Sequence, residues 1–139
     1  MPEGYAHRLT IPTRWDDNDV YGHVNNVQYY AFFDTVINRW LIDEGSLDIH
    51  AGPVIGLCAE SGCRFRAAIA FPEAIEAGLR VGKLGSSSVR YEVGLFGADS
   101  GEALAEGFFV HVFVGRESRR PEPIPSQVRD SLERLVVAA

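Results

Sequence analysis

No window of the 139-residue chain approaches the ~18 consecutive apolar residues that a membrane-spanning helix requires, and its first residues lack a basic segment followed by an apolar core. A soluble, cytoplasmic protein is expected, with no membrane partner. Positive charge is scarce as well. Thirteen Lys and Arg stand against nineteen Asp and Glu, a formal net charge of -6, which opposes binding to a phosphate backbone and leaves nucleic acid out of the expected partners. Cysteine is nearly missing. Cys58 and Cys63 lie five positions apart in a stretch that reads as strand, so a regular strand sends them to opposite faces, where they form neither a local disulfide nor a metal pair. As free, buried thiols they fit a reducing compartment. Internal repeats and low-complexity tracts are absent, and the length leaves room for one domain, 1–139, and no second catalytic unit.

What is present is apolar and aromatic. Residues of hydrophobic type make up 46% of the chain and aromatics 11%, against 23% charged, the balance of a globular fold. Tyr5 to Trp15 alternates imperfectly and reads as a strand with Pro12 near its end. From Val27 to about Glu44 the apolar positions Val27, Tyr30, Phe33, Val36, Ile37, Trp40 and Leu41 recur in steps of three and four, widened by Tyr29 and Phe32, and Gly45 supplies the stop. A helix this apolar needs a sheet over much of its circumference. Four strands are expected after it, at Pro53–Phe65, Leu79–Ser87, Ser88–Phe96 and Ala103–Val114, with a hairpin turn over 97–101 and a helical turn over Phe71–Gly78. Arg120–Ala139 reads as a proline-rich arm followed by a short helix. Strand, long helix and four strands together imply an α+β fold, one curved antiparallel sheet wrapped around one long central helix. One helix covers one sheet face, so the leftover edges and aromatics imply a homo-oligomer, a dimer or a tetramer.

Between the first strand and the helix lies the most unusual stretch, with Asp16, Asp17, Asn18, Asp19, Gly22, His23, Asn25 and Asn26 within eleven residues. A helix N-terminus gathers unpaired N–H groups and the positive end of the helix dipole, and so stabilises an oxyanion. Asn25 and Asn26 stand at that end, and Asp19 and His23 stand just upstream on a turn containing Gly22. A base beside an oxyanion site suits an activated ester. A thioester expels a thiol of pKa around 8.5, if it behaves like cysteine, and needs little acid assistance, unlike an amide.

The run Arg14-Trp15-Asp16-Asp17-Asn18-Asp19-Val20-Tyr21-Gly22-His23-Val24-Asn25-Asn26, followed by Tyr29 and the aromatic helix, resembles the motif of the hotdog-fold acyl-CoA thioesterases of the 4-hydroxybenzoyl-CoA thioesterase type. Phe71-Pro72 with Gly78, Gly85 to Ser88, and Arg120-Pro121 with Pro123-Ile124-Pro125 extend the likeness over nearly the whole chain. The resemblance implies a hotdog fold and a cytoplasmic thioester hydrolase. It makes Asp19 the catalytic carboxylate, as nucleophile or base, and Asn26 the residue whose backbone N–H enters the oxyanion hole. His23 matches the histidine of the motif. Tyr29 and the segment Gly85, Ser86, Ser87 and Ser88 are implied to line the substrate site, the latter from a neighbouring subunit. The substrate is then an acyl-CoA or acyl-carrier-protein thioester, with coenzyme A as part of the substrate and no separate cofactor. Many relatives carry an arginine where this helix has Ile37.

The same residues admit other readings. Asp19 could cap a helix, and Asp16 or Asp17 could be the base in its place. Asp17, Asp19, Tyr21 and Gly22 fall at positions 1, 3, 5 and 6 of a calcium loop, but Gln28 stands at position 12 where a glutamate belongs. The four histidines are scattered, which leaves no zinc spacing. Ser86, Ser87 and Ser88 lack a nucleophile elbow. Arg116, Arg119 and Arg120 are solvated or meet coenzyme A phosphates. Two further functions fit the same fold: a module that binds an acyl thioester without turnover, and an enoyl-thioester hydratase.

Overall fold

A computed structural model describes residues 4–137. Its elements are β1 (His7–Ile11), a single 3-10 turn (Trp15–Asp17), α1 (Asn26–Asp43), β2 (Val54–Phe65), β3 (Ile75–Leu84), β4 (Ser88–Gly97), β5 (Ala103–Gly115) and α2 (Ser126–Glu133). The strands form one antiparallel sheet in the order β1-β3-β4-β5-β2, with α1 across one face. This is the α+β hotdog arrangement. Among the described residues no helix is long and apolar enough to cross a membrane.

Alternation decides which side chains meet the helix. Ile75, Ala77, Leu79 and Val81 of β3, Val89, Tyr91, Val93 and Leu95 of β4, and Phe109, His111 and Phe113 of β5 all turn inward and are buried. Against them α1 buries Tyr29, Phe32, Phe33, Val36, Ile37, Trp40 and Leu41. Each such side chain contributes roughly 1.5–3 kcal/mol relative to exposure. Phe33 comes closest, since a Cβ on Gly107 would sit 2.4 Å from its ring. Eighteen residues carry α1 about 27 Å across the strands.

Several expectations shift. The inward stripe of α1 begins at Tyr29 and Phe32, and Val27 and Tyr30 are exposed, because the side of the helix that carries Tyr29, Phe33, Val36, Ile37 and Trp40 is the one that meets the sheet. Gly45 does end the helix, though by closeness and not by handedness. Its Cβ would lie 2.7 Å from the Leu41 carbonyl oxygen, and the left-handed residue is Ser46, with φ 55°. β1 stops at Ile11, before Pro12, and β3 starts at Ile75, four residues early. There Ile75 pairs with both Ile11 and Gly97, so two neighbours satisfy its backbone and override the local turn preference around Pro72. At the other end β3 stops at Leu84, and residues 85–87 form a turn.

The cysteine reading needs correction. The register of β2 shifts between Cys58 and Glu60, and Cys58 pairs with His111 while Cys63 pairs with Gly107. Those partners are four residues apart on β5, so the bulge puts both thiols on the same face. Cys58 is exposed and Cys63 half-buried, and both are free. The C-terminal arm fits its reading. Glu122 and Ile124 donate to Phe113 and Ser86 carbonyls, and α2 buries Val128 and Leu132. Ala138 and Ala139 lie outside the described residues.

His111 is the one titratable imidazole inside the core, 3% exposed and edge-on to Tyr91. Its Nδ1 and the Tyr91 hydroxyl have no hydrogen-bond partner among the described residues. Burial holds the pKa of His111 below its ordinary value, with Asp34 offsetting part of the effect. Between that lowered value and about 6.5, the unfolded chain binds a proton that the folded chain refuses, so stability falls as pH drops through this window. Urea denaturation between pH 7.5 and 5 should register that loss, with a smaller slope in His111→Gln. An equal slope in the variant removes His111 as the cause.

Candidate active site

The loop from Pro12 to Asn25 is held in place by its own polar groups. Asp17, 1% exposed, accepts the Arg14 N–H at 2.7 Å on Oδ2 and the Arg14 guanidinium at 3.2 and 3.0 Å on Oδ1. The Asp17 carbonyl then accepts the Asn25 N–H at 2.8 Å. The hydroxyl of Thr13 donates to the Glu73 carbonyl, and Asn18 accepts the Phe71 N–H, which fastens the loop to the segment before β3. Asp17 is therefore a structural carboxylate with its oxygens committed.

Residues 18–24 form a small hairpin. Asn18 and Val24 pair, the Asp19 N–H donates to the His23 carbonyl, and the Gly22 N–H donates to the Asp19 carbonyl. Gly22 holds φ at 84°, which favours glycine. The half-buried Asp19 accepts the Tyr21 N–H at 2.9 Å on Oδ1, and its Oδ2 faces the Asn25 amide nitrogen at 3.4 Å. Asn25 caps α1, its Oδ1 accepting the Val27 N–H at 2.9 Å. The Asn26 N–H, first in the helix, meets no acceptor among the described residues. A carboxylate and a free N–H at a helix N-terminus thus stand one capping residue apart.

Two grooves flank this point. One, of about 650 Å³, is lined by Trp15, Asp16, Asp19, Tyr21 and Asn25, and its aromatic rim is open: Trp15 is 74% and Tyr21 84% exposed. The other, of about 260 Å³, runs along the first turn of α1 between Asn26, Tyr29, Phe65 and Ala67. The Tyr29 ring lies 5.1 Å from that of Phe65, its hydroxyl reaches the Ala67 carbonyl at 3.5 Å, and burial raises its pKa.

Of the residues singled out in the sequence, Asp19 lines the first groove and Asn26 and the buried Tyr29 line the second, and Asn25 joins the two through its contact with Asp19. His23 shares the hairpin through its carbonyl, but its side chain lines a different groove with Phe71, Glu73 and Asp99. Gly85–Ser88 is a turn at the far end of β4, bound to the C-terminal arm through the Ser86 carbonyl and to Arg129 through the Gly85 carbonyl. Ten strand residues, about 33 Å, separate it from the β4–β5 turn that borders His23, so within one chain it does not meet Asp19. Arg116 is committed to the Gly52 and Ile49 carbonyls at 2.6 and 2.8 Å. No group of three His, Cys, Asp or Glu among the described residues is placed to hold a metal ion.

Sequence reasoning missed the Arg14–Asp17 pair, for which the i, i+3 spacing was a signal. It also missed Phe65 and Ala67, which reach the groove from β2 and the segment beyond it and carry no local mark. A further cavity of about 390 Å³ lies away from this loop, over the sheet face opposite α1. Arg80 and Arg90 both pair with Glu92 there.

Residues 13–132 match the thioesterase-like superfamily. No curated protein matches the chain. Among solved structures, the PA5185 protein from Pseudomonas aeruginosa strain PAO1 is 57% identical, with 97% of this chain and 94% of that one covered and a TM-score of 0.94. The PA2801 protein from Pseudomonas aeruginosa is 27% identical over 93% and 99% of the two chains, with a TM-score of 0.86. Slr0204 of Synechocystis, a 1,4-dihydroxy-2-naphthoyl-CoA thioesterase, shares the fold at 17% identity, 90% and 93% coverage and a TM-score of 0.82.

The two neighbouring aspartates should separate under mutation. Asp17→Asn gives up charge-assisted bonds to Arg14 and should lower stability by about 1–3 kcal/mol in chemical denaturation, whereas Asp19→Asn should unfold close to the parent. A reversed order would show that Asp19 is the loop's anchor.

Proposed function

The chain belongs to the thioesterase-like superfamily, and from that premise we propose that it hydrolyses an acyl-CoA thioester to free acid and thiol, using Asp19 and the Asn26 N–H. The observation that carries this reading is the half-buried Asp19 carboxylate beside a helix N-terminus whose first N–H meets no acceptor among the described residues. The thioester carbonyl oxygen points at the Asn26 N–H, where the helix dipole favours developing negative charge. As base, Asp19 takes a proton from a water whose oxygen bonds to the carbonyl carbon. The tetrahedral oxyanion then collapses, the C–S bond breaks and the thiolate leaves. As nucleophile, Asp19 itself bonds to that carbon and expels the thiolate, and water then cleaves the resulting anhydride. Neither route needs an acid for the leaving group. His23 serves the turn, its carbonyl holding the Asp19 N–H.

The second part of the reading is a homodimer through β2. This twelve-residue strand is a sheet edge whose middle, Leu57 to Ser61, is exposed. Such an edge invites pairing. A two-fold axis through the middle of β2 sets the Phe65 end of one strand against the Val54 end of the other. Val54 pairs with Gly115, and the adjoining Phe113 and Val112 hold Ser87 and Ser88. That symmetry carries the 85–88 turn of the partner subunit to the level of Asp19, Asn26 and Tyr29, which accounts for its distance from them within one chain.

A thiol-release assay over acetyl-, hexanoyl-, palmitoyl- and benzoyl-CoA tests the activity. Asp19→Asn should lower turnover about 10²–10⁴-fold; turnover near the parent's would remove Asp19 from the mechanism. Refolding Asp19→Asn chains together with Ser87→Trp chains should restore turnover that neither variant has alone, because a mixed dimer holds one intact site. Absence of complementation, with each variant folded and dimeric, would confine the site to one subunit.

A further inference from the structure

The side chain of Asn25 is divided between two neighbours. Its Oδ1 accepts the Val27 N–H at 2.9 Å, and its Nδ2 lies 3.4 Å from Asp19 Oδ2. The amide can sit only this way round, since turning it over would face oxygen to carboxylate and NH₂ to N–H. Its backbone is fixed too, because the Asn25 N–H donates to the carbonyl of the buried Asp17. Asp19, by contrast, sits in a hairpin whose tip residues Val20 and Tyr21 are 95% and 84% exposed, so little packing steadies it. The amide of Asn25 is its one side-chain hydrogen-bond partner among the described residues.

We propose that Asn25 is a positioning residue: it ties the Asp19 carboxylate to the start of α1, so that carboxylate and Asn26 N–H address the same thioester carbonyl. This rests on Asp19 being the reacting carboxylate. The cap supplies a fixed point, since Oδ1 is bound to a backbone group of the helix that also bears the oxyanion N–H. A contact of 3.4 Å is long for such a bond, and catalytic hydrogen bonds that are long in a ligand-free site tighten when substrate arrives.

Asn25→Asp separates positioning from capping. A carboxylate caps as well as an amide and is favoured by the helix dipole, which works against its repulsion with Asp19, so the fold should hold with at most a small drop in thermal stability. The donor to Asp19 is lost, however, and a second carboxylate stands in its place. In the thiol-release assay kcat should fall roughly tenfold to hundredfold with KM little changed. The acid limb of the kcat profile should move to higher pH, because paired carboxylates hold a proton more tightly. The other charged groups around the hairpin stay as they are: Asp16 on the groove, Arg14 locked to Asp17, and His23 on a different groove. Asn25→Ser keeps a cap but does not reach Asp19, and should lose kcat without the pH displacement. Parent kcat and pH profile in both variants would overturn the positioning role. Asp19→Asn run in parallel keeps the two claims apart: if it is inactive while Asn25→Asp is normal, only the role of Asn25 fails; if it is fully active, the assignment of Asp19 fails and the role of Asn25 with it.

Discussion

Burial of one stripe of α1 against one face of the sheet is the constraint on which the rest of the structure depends. Phe33, Val36 and Ile37 are fully enclosed, and the strands beneath supply matching inward positions from Ile75 to Phe113. A helix held so tightly has its axis and rotation fixed. Its N-terminus is then fixed as well, and with it the direction in which the first free N–H points. The chemistry proposed at Asn26 is a by-product of packing some distance away.

The loop before α1 solves a different problem, that of holding polar groups without a core. Asp17 and Arg14 do so with charge-assisted bonds, and Asn18 and Thr13 add bonds to the segment before β3. Once those groups are satisfied, Asp19 is the carboxylate left with uncommitted capacity next to the helix start. Three aspartates within four residues thus divide into an exposed one, a structural one and a candidate reactive one. Their difference lies in hydrogen bonding and burial, not in residue type.

Much of the architecture was legible in the chain. Period-three-and-four spacing from Val27 to Leu41 marked the helix, and β-branched and aromatic residues marked β2, β4 and β5 to within a residue or two. The failures share a cause. The start of β3 at Ile75, the outward turn of Val27 and Tyr30, and the common face of Cys58 and Cys63 are each set by a neighbouring strand or helix, through pairing or a bulge, and leave no trace within a short window. Around the candidate site, Asp19, Asn26 and Tyr29 could be singled out because they lie in one local motif. Phe65 and Ala67 could not, because they arrive from some forty residues away.

By itself the sequence determined the composition of the site's loop, the cap at Asn25 and the amphipathic stripe, since these depend on contacts between residues close along the chain. Tertiary structure alone decided which aspartate is spent on Arg14, which side chains wall the groove at Tyr29, and that Gly85–Ser88 lies a strand's length from Asp19. Those outcomes depend on which strands become neighbours. Pairing across 40 or more residues is chosen by burial of the whole helix stripe, a collective quantity that no single segment carries.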